Sequence, residues 1–224
     1  FASTGGLIKL NYDFFYLYIN GSNQGLYVIE EGFDKELIER NKRRNGPIFG
    51  IDEDILGEAD IDQEINNPIF EIYNKNYWSR KENNPLARTA SQKLKNFFNN
   101  EESLENVFDV EKWAAYFAVI DMTSTYHGAL LKSVKFYYNP INGLFEPIPY
   151  DGHRLKPNYN KYNLDYDSRI LFDILLDPKN NDEILLSWIK KFFFKNEELN
   201  QQFYELYYNN LKKIPSKKFI DDFF

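Results

Sequence analysis

Apolar and polar positions along the chain mark most of its elements. Aromatic and β-branched runs at 14–19 and 26–29 flank a polar stretch at 20–25, which predicts a β-hairpin over residues 14–31. A helix is expected over 33–44. Asp34 can cap it, Leu37 and Ile38 give it a short apolar face, and Lys42, Arg43 and Arg44 sit where positive charge suits the dipole. Gly46-Pro47 stops it. The acidic stretch 50–64 reads as a surface connection. Pro85 opens a helix that runs to residue 98. The clearest helix runs over 109–123, with Asp109 as N-cap and Trp113, Tyr116, Phe117 and Ile120 at helical spacing. Residues 134–138 and 144–148 predict a second hairpin around the turn Asn139-Pro140-Ile141-Asn142-Gly143. A polar loop then runs to about 167. Helices are expected at about 169–177, 181–194, 197–213 and 216–223.

Strands, helices, a hairpin, a loop and a helical tail come in that order, so the expected class is α+β rather than alternating βαβ. Composition narrows the function. The 224 residues include no cysteine, which excludes zinc–thiolate sites, thiol nucleophiles and disulfides. Two histidines, His127 and His153, are too few for a multi-histidine metal site. A net charge of −7 argues against a nucleic-acid partner. The longest apolar run, 113–120, is too short to span a bilayer. Aromatics reach 18%, which we attribute to nucleotide composition rather than to function. There is no G-x-x-x-x-G-K phosphate loop. The chain starts at Phe1 and ends at Phe224, and both ends look cut.

Asp151 follows a predicted strand and precedes glycine, so a rigid element can aim its carboxylate into a cleft. Mg²⁺ favours such an oxygen ligand together with substrate phosphates. The plainer reading is a turn aspartate before glycine, and local sequence alone favours it. His127 lies between the strongest helix and the second hairpin, where it can accept a hydroxyl proton. A half-buried helix-end histidine is the plainer alternative, and His153 shares the ambiguity. Glu30 and Glu31 close the first hairpin and can pair with a cation in a cleft, or can be ordinary surface charge. Lys42, Arg43 and Arg44 can meet phosphate, or can be solvated dipole partners.

Three blocks, in order, resemble the CotH-like spore-coat proteins, a family of atypical protein kinases. Asn20-Gly21-Ser22-Asn23-Gln24-Gly25-Leu26-Tyr27, with Glu30-Glu31 and Asp34-Lys35, is similar to the family's NG-x-x-x-G-x-Y segment and its acidic position. Phe108-Asp109 with Tyr116-Phe117-Ala118-Val119 resembles the helix before its active centre. Val134-Lys135-Phe136-Tyr137-Tyr138-Asn139-Pro140 with Phe145-Glu146-Pro147-Ile148-Pro149-Tyr150-Asp151 resembles its strand–turn–strand block.

The resemblance implies a two-lobed kinase-like fold that binds ATP and Mg²⁺ and phosphorylates Ser or Thr of partner proteins. Residues 1–224 would form one such domain, truncated at its amino terminus. About 1–50 would be a remnant of the small lobe and about 85–224 the large lobe. Asp151 would be the metal-binding aspartate, and Gly25, Glu30 and Glu31 would contribute to the nucleotide side. The ATP-binding lysine would lie upstream, with Lys9 the nearest candidate. A secreted or cell-surface location is implied by resemblance alone.

Two positions depart from the pattern. His127 stands where the family has a catalytic Asp, and Ser133 where it has an Asn. The leading reading is an active kinase with His127 as base. The alternative is a kinase-shaped assembly module without catalysis. A carboxylate-pair glycosidase ranks third, because no acidic pair stands out.

Overall fold

The structure is a computed structural model that describes residues 6–51, 68–123, 125–152 and 187–213. Strands β1 (Tyr12–Ile19) and β2 (Ser22–Glu30) pair antiparallel. Asn20 and Gly21 have φ of 51° and 79° and make a two-residue turn whose twist matches its strands. The polar stretch 20–25 is therefore mostly strand, with Ser22 already paired to Ile19. Its polarity reflects exposure on the hairpin, not a loop. A bulge between Leu17 and Tyr18 leaves Gly25 opposite Leu17.

Helix α1 (Lys35–Arg40) starts at Asp34, whose carboxylate accepts the Leu37 amide at 3.1 Å. It ends short of the expected residue 44, since Lys42 turns left-handed at φ 59°. The chain then enters strand β3 (Ile48–Ile51), buried at all four positions. This corrects the surface connection expected from residue 50. Four residues buried on both faces show no alternation to read.

Strand β3 pairs with β4 (Phe70–Ile72) and with β5 (Lys135–Asn139), and β5 pairs with β6 (Leu144–Ile148). The sheet order is β4-β3-β5-β6, antiparallel throughout. The helices α2 (Lys75–Trp78), α3 (Asn84–Phe98), α4 (Leu104–Val107) and α5 (Val110–Thr123) lie between β4 and β5 in sequence. Asp109 accepts the Lys112 amide at 3.2 Å, as an N-cap should.

A 3₁₀ turn at Ser187–Ile189 leads into α6 (Lys190–Phe193). The strands β7 (Phe194–Lys195) and β8 (Glu198–Leu199) form a tight hairpin before α7 (Gln201–Lys213). The helix expected from 197 thus begins at Gln201, because Asn196 and Glu197 take positive φ. The helices expected at 169–177 and 216–223 lie outside the described residues.

The four-stranded sheet has two apolar faces. One carries Phe49, Phe136, Tyr138 and Phe145 against α5, α6 and α7. There Trp113 lies 5.4 Å from Phe136 and 5.6 Å from Trp188, ring centre to ring centre. Fifteen of the 40 aromatic residues are buried in this core. The tryptophan N–H groups do not go unmet: Trp113 donates to the Phe145 carbonyl at 2.9 Å, and Trp188 to that of Ala129 at 3.0 Å. The other face carries Ile48, Tyr137 and Ile148 against Leu37 and Ile38 of α1 and Ile8. The architecture is mixed α+β.

Candidate functional site

Asp151 leaves the end of β6 through Pro149 and Tyr150 and sits in the left-handed region, with φ 50°. Aspartate tolerates that conformation better than most residues. His127 comes from a 3₁₀ turn, Tyr126–Ala129, just after α5. Tyr116 on α5 ties this turn down by donating its hydroxyl to the Gly128 carbonyl. Gly128 lets the two segments meet: a Cβ there would lie 2.9 Å from the Tyr150 carbonyl oxygen.

His127 Nδ1 consequently lies 2.9 Å from Asp151 Oδ2 and 3.2 Å from the Asp151 carbonyl oxygen. Both partners are acceptors when the carboxylate is ionised, and a proton on Nδ1 is the arrangement that satisfies them. Ser133, two residues before β5, completes the cluster. Its hydroxyl is 3.3 Å from His127 Nδ1 and 3.5 Å from Asp151 Oδ2. Serine and aspartate both meet the same ring nitrogen. The arrangement therefore lacks the serine-on-Nε2 geometry of a hydrolytic triad.

The base of the first hairpin comes to the same place. Phe33 packs edge-on to Tyr150, with ring centres 5.0 Å apart. Tyr12 donates its hydroxyl to Glu30, and burial raises the Tyr12 pKa. Glu30, Tyr150 and Asp151 raise it further by charge, so the Asp151 carboxylate is within electrostatic reach of this tyrosine.

Glu31 faces another way. It accepts Arg40 Nε at 2.9 Å and the Asn11 amide at 2.9 Å. Burial alone would raise its pKa, but the hydrogen bonds from Arg40 and Asn11 and the charge of Arg40 win, and its carboxyl lies below the usual 4.5. A depressed carboxyl stabilises the fold above its unfolded pKa and loses that effect as pH falls through its folded one. Glu31→Gln should accordingly cost about 1 kcal/mol or less at pH 7, since the pair is partly exposed. In urea titrations the gap from wild type should start to close below about pH 4.5 and vanish in stronger acid. A gap that persists unchanged at acid pH would show that charge is not its source. Gly25 lies five residues up β2 from Glu30, roughly 17 Å along the strand. The structure thus gathers His127, Ser133 and Asp151, brings Glu30 alongside through Tyr12, and sets Glu31 and Gly25 apart. His153 lies outside the described residues.

Two charged residues were missed in the sequence. Glu146 on β6 is 1% exposed and accepts Arg43 Nε at 2.7 Å. The half-buried helix-end cation Arg43 is therefore committed to a buried carboxylate. Lys135 on β5 is 2% exposed. Its ammonium donates to the Lys132 carbonyl at 3.2 Å and lies 5.2 Å from the Tyr150 ring centre and 5.9 Å from that of Tyr73. Neither stands out in sequence, because a lone charge in a strand normally marks the solvent face.

Comparison with known proteins bears on these positions. The family described as CotH kinase protein matches residues 1–223. The chain belongs to that family. It is also 26% identical over 157 residues to a protein named Inner spore coat protein H from Bacillus subtilis (strain 168). That alignment covers 67% of this chain and 42% of the Bacillus protein. Among the described residues of this CotH family member, no helix is long and apolar enough to cross a membrane.

Among the described residues no three His, Asp or Glu side chains gather into a metal cage. The donor chemistry nevertheless suits Mg²⁺, which is commonly held by one or two carboxylates plus substrate phosphates.

Proposed function

We propose that the chain is a kinase-like domain that transfers the γ-phosphoryl group of ATP to Ser or Thr hydroxyls of a coat or surface protein, with Mg²⁺. Residues about 1–50 would supply part of a smaller lobe and about 85–224 a larger one. The observation that carries this reading is the bond between His127 Nδ1 and Asp151 Oδ2 at 2.9 Å, in a chain matched to the CotH family along nearly its whole length. In this reaction the acceptor oxygen bonds to the γ-phosphorus and the bond to the β–γ bridging oxygen breaks. ADP leaves with that electron pair, and the hydroxyl proton passes to His127 Nε2. Asp151 holds His127 in the tautomer this needs and would also ligate Mg²⁺. Bound Mg²⁺ supplies neutralisation of the phosphate charge.

A non-catalytic assembly module is the second reading. It is favoured by His127 and Ser133, which stand where the resemblance expects Asp and Asn, leaving Asp151 as the carboxylate of the cluster. Asp151→Asn separates structural from ligand roles. Asparagine tolerates the same left-handed backbone, and the side chain is 37% exposed. The variant should melt within a few degrees of wild type and lose about 10- to 100-fold in Mg²⁺-dependent ATP affinity by calorimetry. An Asn variant that binds Mg²⁺·ATP like wild type would overturn the ligand role. Wild type that binds Mg²⁺·ATP but transfers no labelled phosphate to Ser- and Thr-rich peptides would select the non-catalytic module.

A further inference from the structure

We propose that the groove between α1 and α2 binds an extended segment of a partner protein that carries lysine or arginine, and that the Trp78 indole N–H donates to the main chain of that segment. That the partner is also the phosphate acceptor rests on the function proposed above; the peptide site itself does not.

The groove consists of two cavities, of about 330 Å³ and about 560 Å³. Lys35, Asn45, Tyr77 and Trp78 line both, so the two form one continuous channel. One end begins at Phe33, whose ring packs on Tyr150 beside Asp151. The other end reaches Pro140, in the turn between β5 and β6. Strand β6 and two further residues separate that turn from Asp151, roughly 20 Å of chain. The channel thus starts near the His127–Asp151 cluster and leads away from it, over a length that suits about six residues of extended peptide.

Its walls are held in place without a ligand. Gly46 presses the segment between α1 and β3 onto β5: a Cβ there would lie 2.1 Å from the Tyr138 carbonyl oxygen. Tyr137 donates its hydroxyl to the Arg44 carbonyl at 2.6 Å, and the Tyr138 amide donates to the Pro47 carbonyl at 2.9 Å. On the opposite wall Asn74 donates to the Phe33 carbonyl at 3.2 Å, which ties the start of α2 to the start of α1. The side chains of Lys35 and Glu39 remain 53% exposed, so the channel is open to solvent along its rim. Such a shape admits a chain laid along it.

The polar groups of the channel point to a peptide. Trp78 is 6% exposed, yet its indole N–H meets no acceptor among the described residues. Trp113 and Trp188, by contrast, each donate to a carbonyl. A buried donor left unpaired is unfavourable, and a carbonyl laid in the channel relieves it. Asn83 donates its side-chain amide to the Tyr77 carbonyl at 3.0 Å, and Asn45 donates its own to the Tyr77 hydroxyl at 3.2 Å. Both amide oxygens are left to accept N–H groups. Donor and acceptors together complement a peptide main chain, which offers C=O and N–H in turn. Charge then selects the side chains. Four carboxylates, of Asp34, Glu36, Glu39 and Glu82, line the channel against the cations Lys35 and Arg44. Lys35 is paired with Glu39, and Asp34 caps α1. Glu36 and Glu82 have no cationic partner among the described residues. The acidic balance favours a basic segment and disfavours an acidic one.

The test uses the whole 224-residue chain, ¹⁵N-labelled, and a positional-scanning library of fluorescein-labelled octapeptides. Pools with Lys or Arg should bind at least about threefold more tightly than pools with Asp or Glu in anisotropy titrations. Three tryptophans give three indole N–H signals, and Trp78→Phe assigns one of them. The tightest pool should move the Trp78 signal and leave those of Trp113 and Trp188 in place. Replacing both exposed carboxylates, Glu36→Gln with Glu82→Gln, should weaken binding of that pool about three- to tenfold and leave the melting temperature within about 2 °C. Absence of binding by every pool, preference for acidic pools, or an unmoved Trp78 signal with peptide bound overturns the proposal. So does a folded double variant that binds like wild type. Peptide binding that moves Trp78 without any phosphate transfer keeps this site and rejects the kinase. Phosphate transfer by a protein that binds no pool keeps the kinase and rejects this site.

Discussion

His127→Ala is expected to lower phosphate transfer by about 10²–10⁴-fold, the usual contribution of a positioned general base. ATP affinity should stay within about threefold, because a proton acceptor acts on the chemical step and adds little to ground-state binding. The ring is well placed for a selective effect. Asp151 Oδ2 and the Asp151 carbonyl oxygen both address Nδ1. Only the neutral ring can take a proton. Transfer by wild type should therefore decline towards acid pH. That acid limb should be missing from whatever activity His127→Ala retains. Single-turnover transfer to Ser- and Thr-rich peptides between pH 5 and pH 8 measures both effects. Equal rates for wild type and variant would remove the base assignment while leaving the Asp151 prediction standing.

The second large effect concerns stability. Glu146→Ala should destabilise the protein by about 3–5 kcal/mol, the cost of breaking a buried ion pair by removing one partner. Glu146 is a hub. Its Oε2 accepts Arg43 Nε at 2.7 Å, its Oε1 accepts Asn139 Nδ2 at 2.8 Å, and Lys112 Nζ lies 3.7 Å away. Arg43 also donates to the carbonyls of Asn41 and Gly6. One carboxylate thus ties the segment after α1 and the amino-terminal stretch to β6 and the first turn of α5. Truncation leaves the Arg43 guanidinium, 15% exposed, without its carboxylate. For a chain of this size the loss corresponds to a fall in melting temperature of roughly 6–20 °C. Glu146→Gln keeps the shape and one oxygen acceptor, so its cost should fall between wild type and Ala. An Ala variant within about 1 kcal/mol of wild type in urea unfolding would show that the pair adds no more than a surface bridge.

Much of the local structure was legible in the sequence because it follows local rules. Both hairpins were placed within a few residues, since Asn20-Gly21 and residues 139–143 carry turn chemistry between strand-forming runs. The helix at Val110–Thr123 was placed within one residue, because Asp109 caps it and the aromatic spacing is helical. Strand β3 escaped notice because burial on both faces removes alternation. The length of α1 was overestimated because Lys42 and Arg43 continue a helix-forming composition past Arg40. Only packing reveals that Arg43 is drawn away to Glu146, 103 residues distant in sequence.

By itself the sequence determined the α+β class, the family and the strand-end position of Asp151. These depend on periodicity, turn chemistry and motif order, which are properties of neighbouring residues. The tertiary structure decided which charges meet. It joined His127 to Asp151 across 24 residues through the close approach at Gly128, and it turned Glu31 toward Arg40. It also buried Lys135 over Gly50 between two tyrosine rings. No local rule contains these pairings. Each arises only after the sheet and α5 have packed, when desolvation makes the choice of partner for every buried charge a large energetic matter.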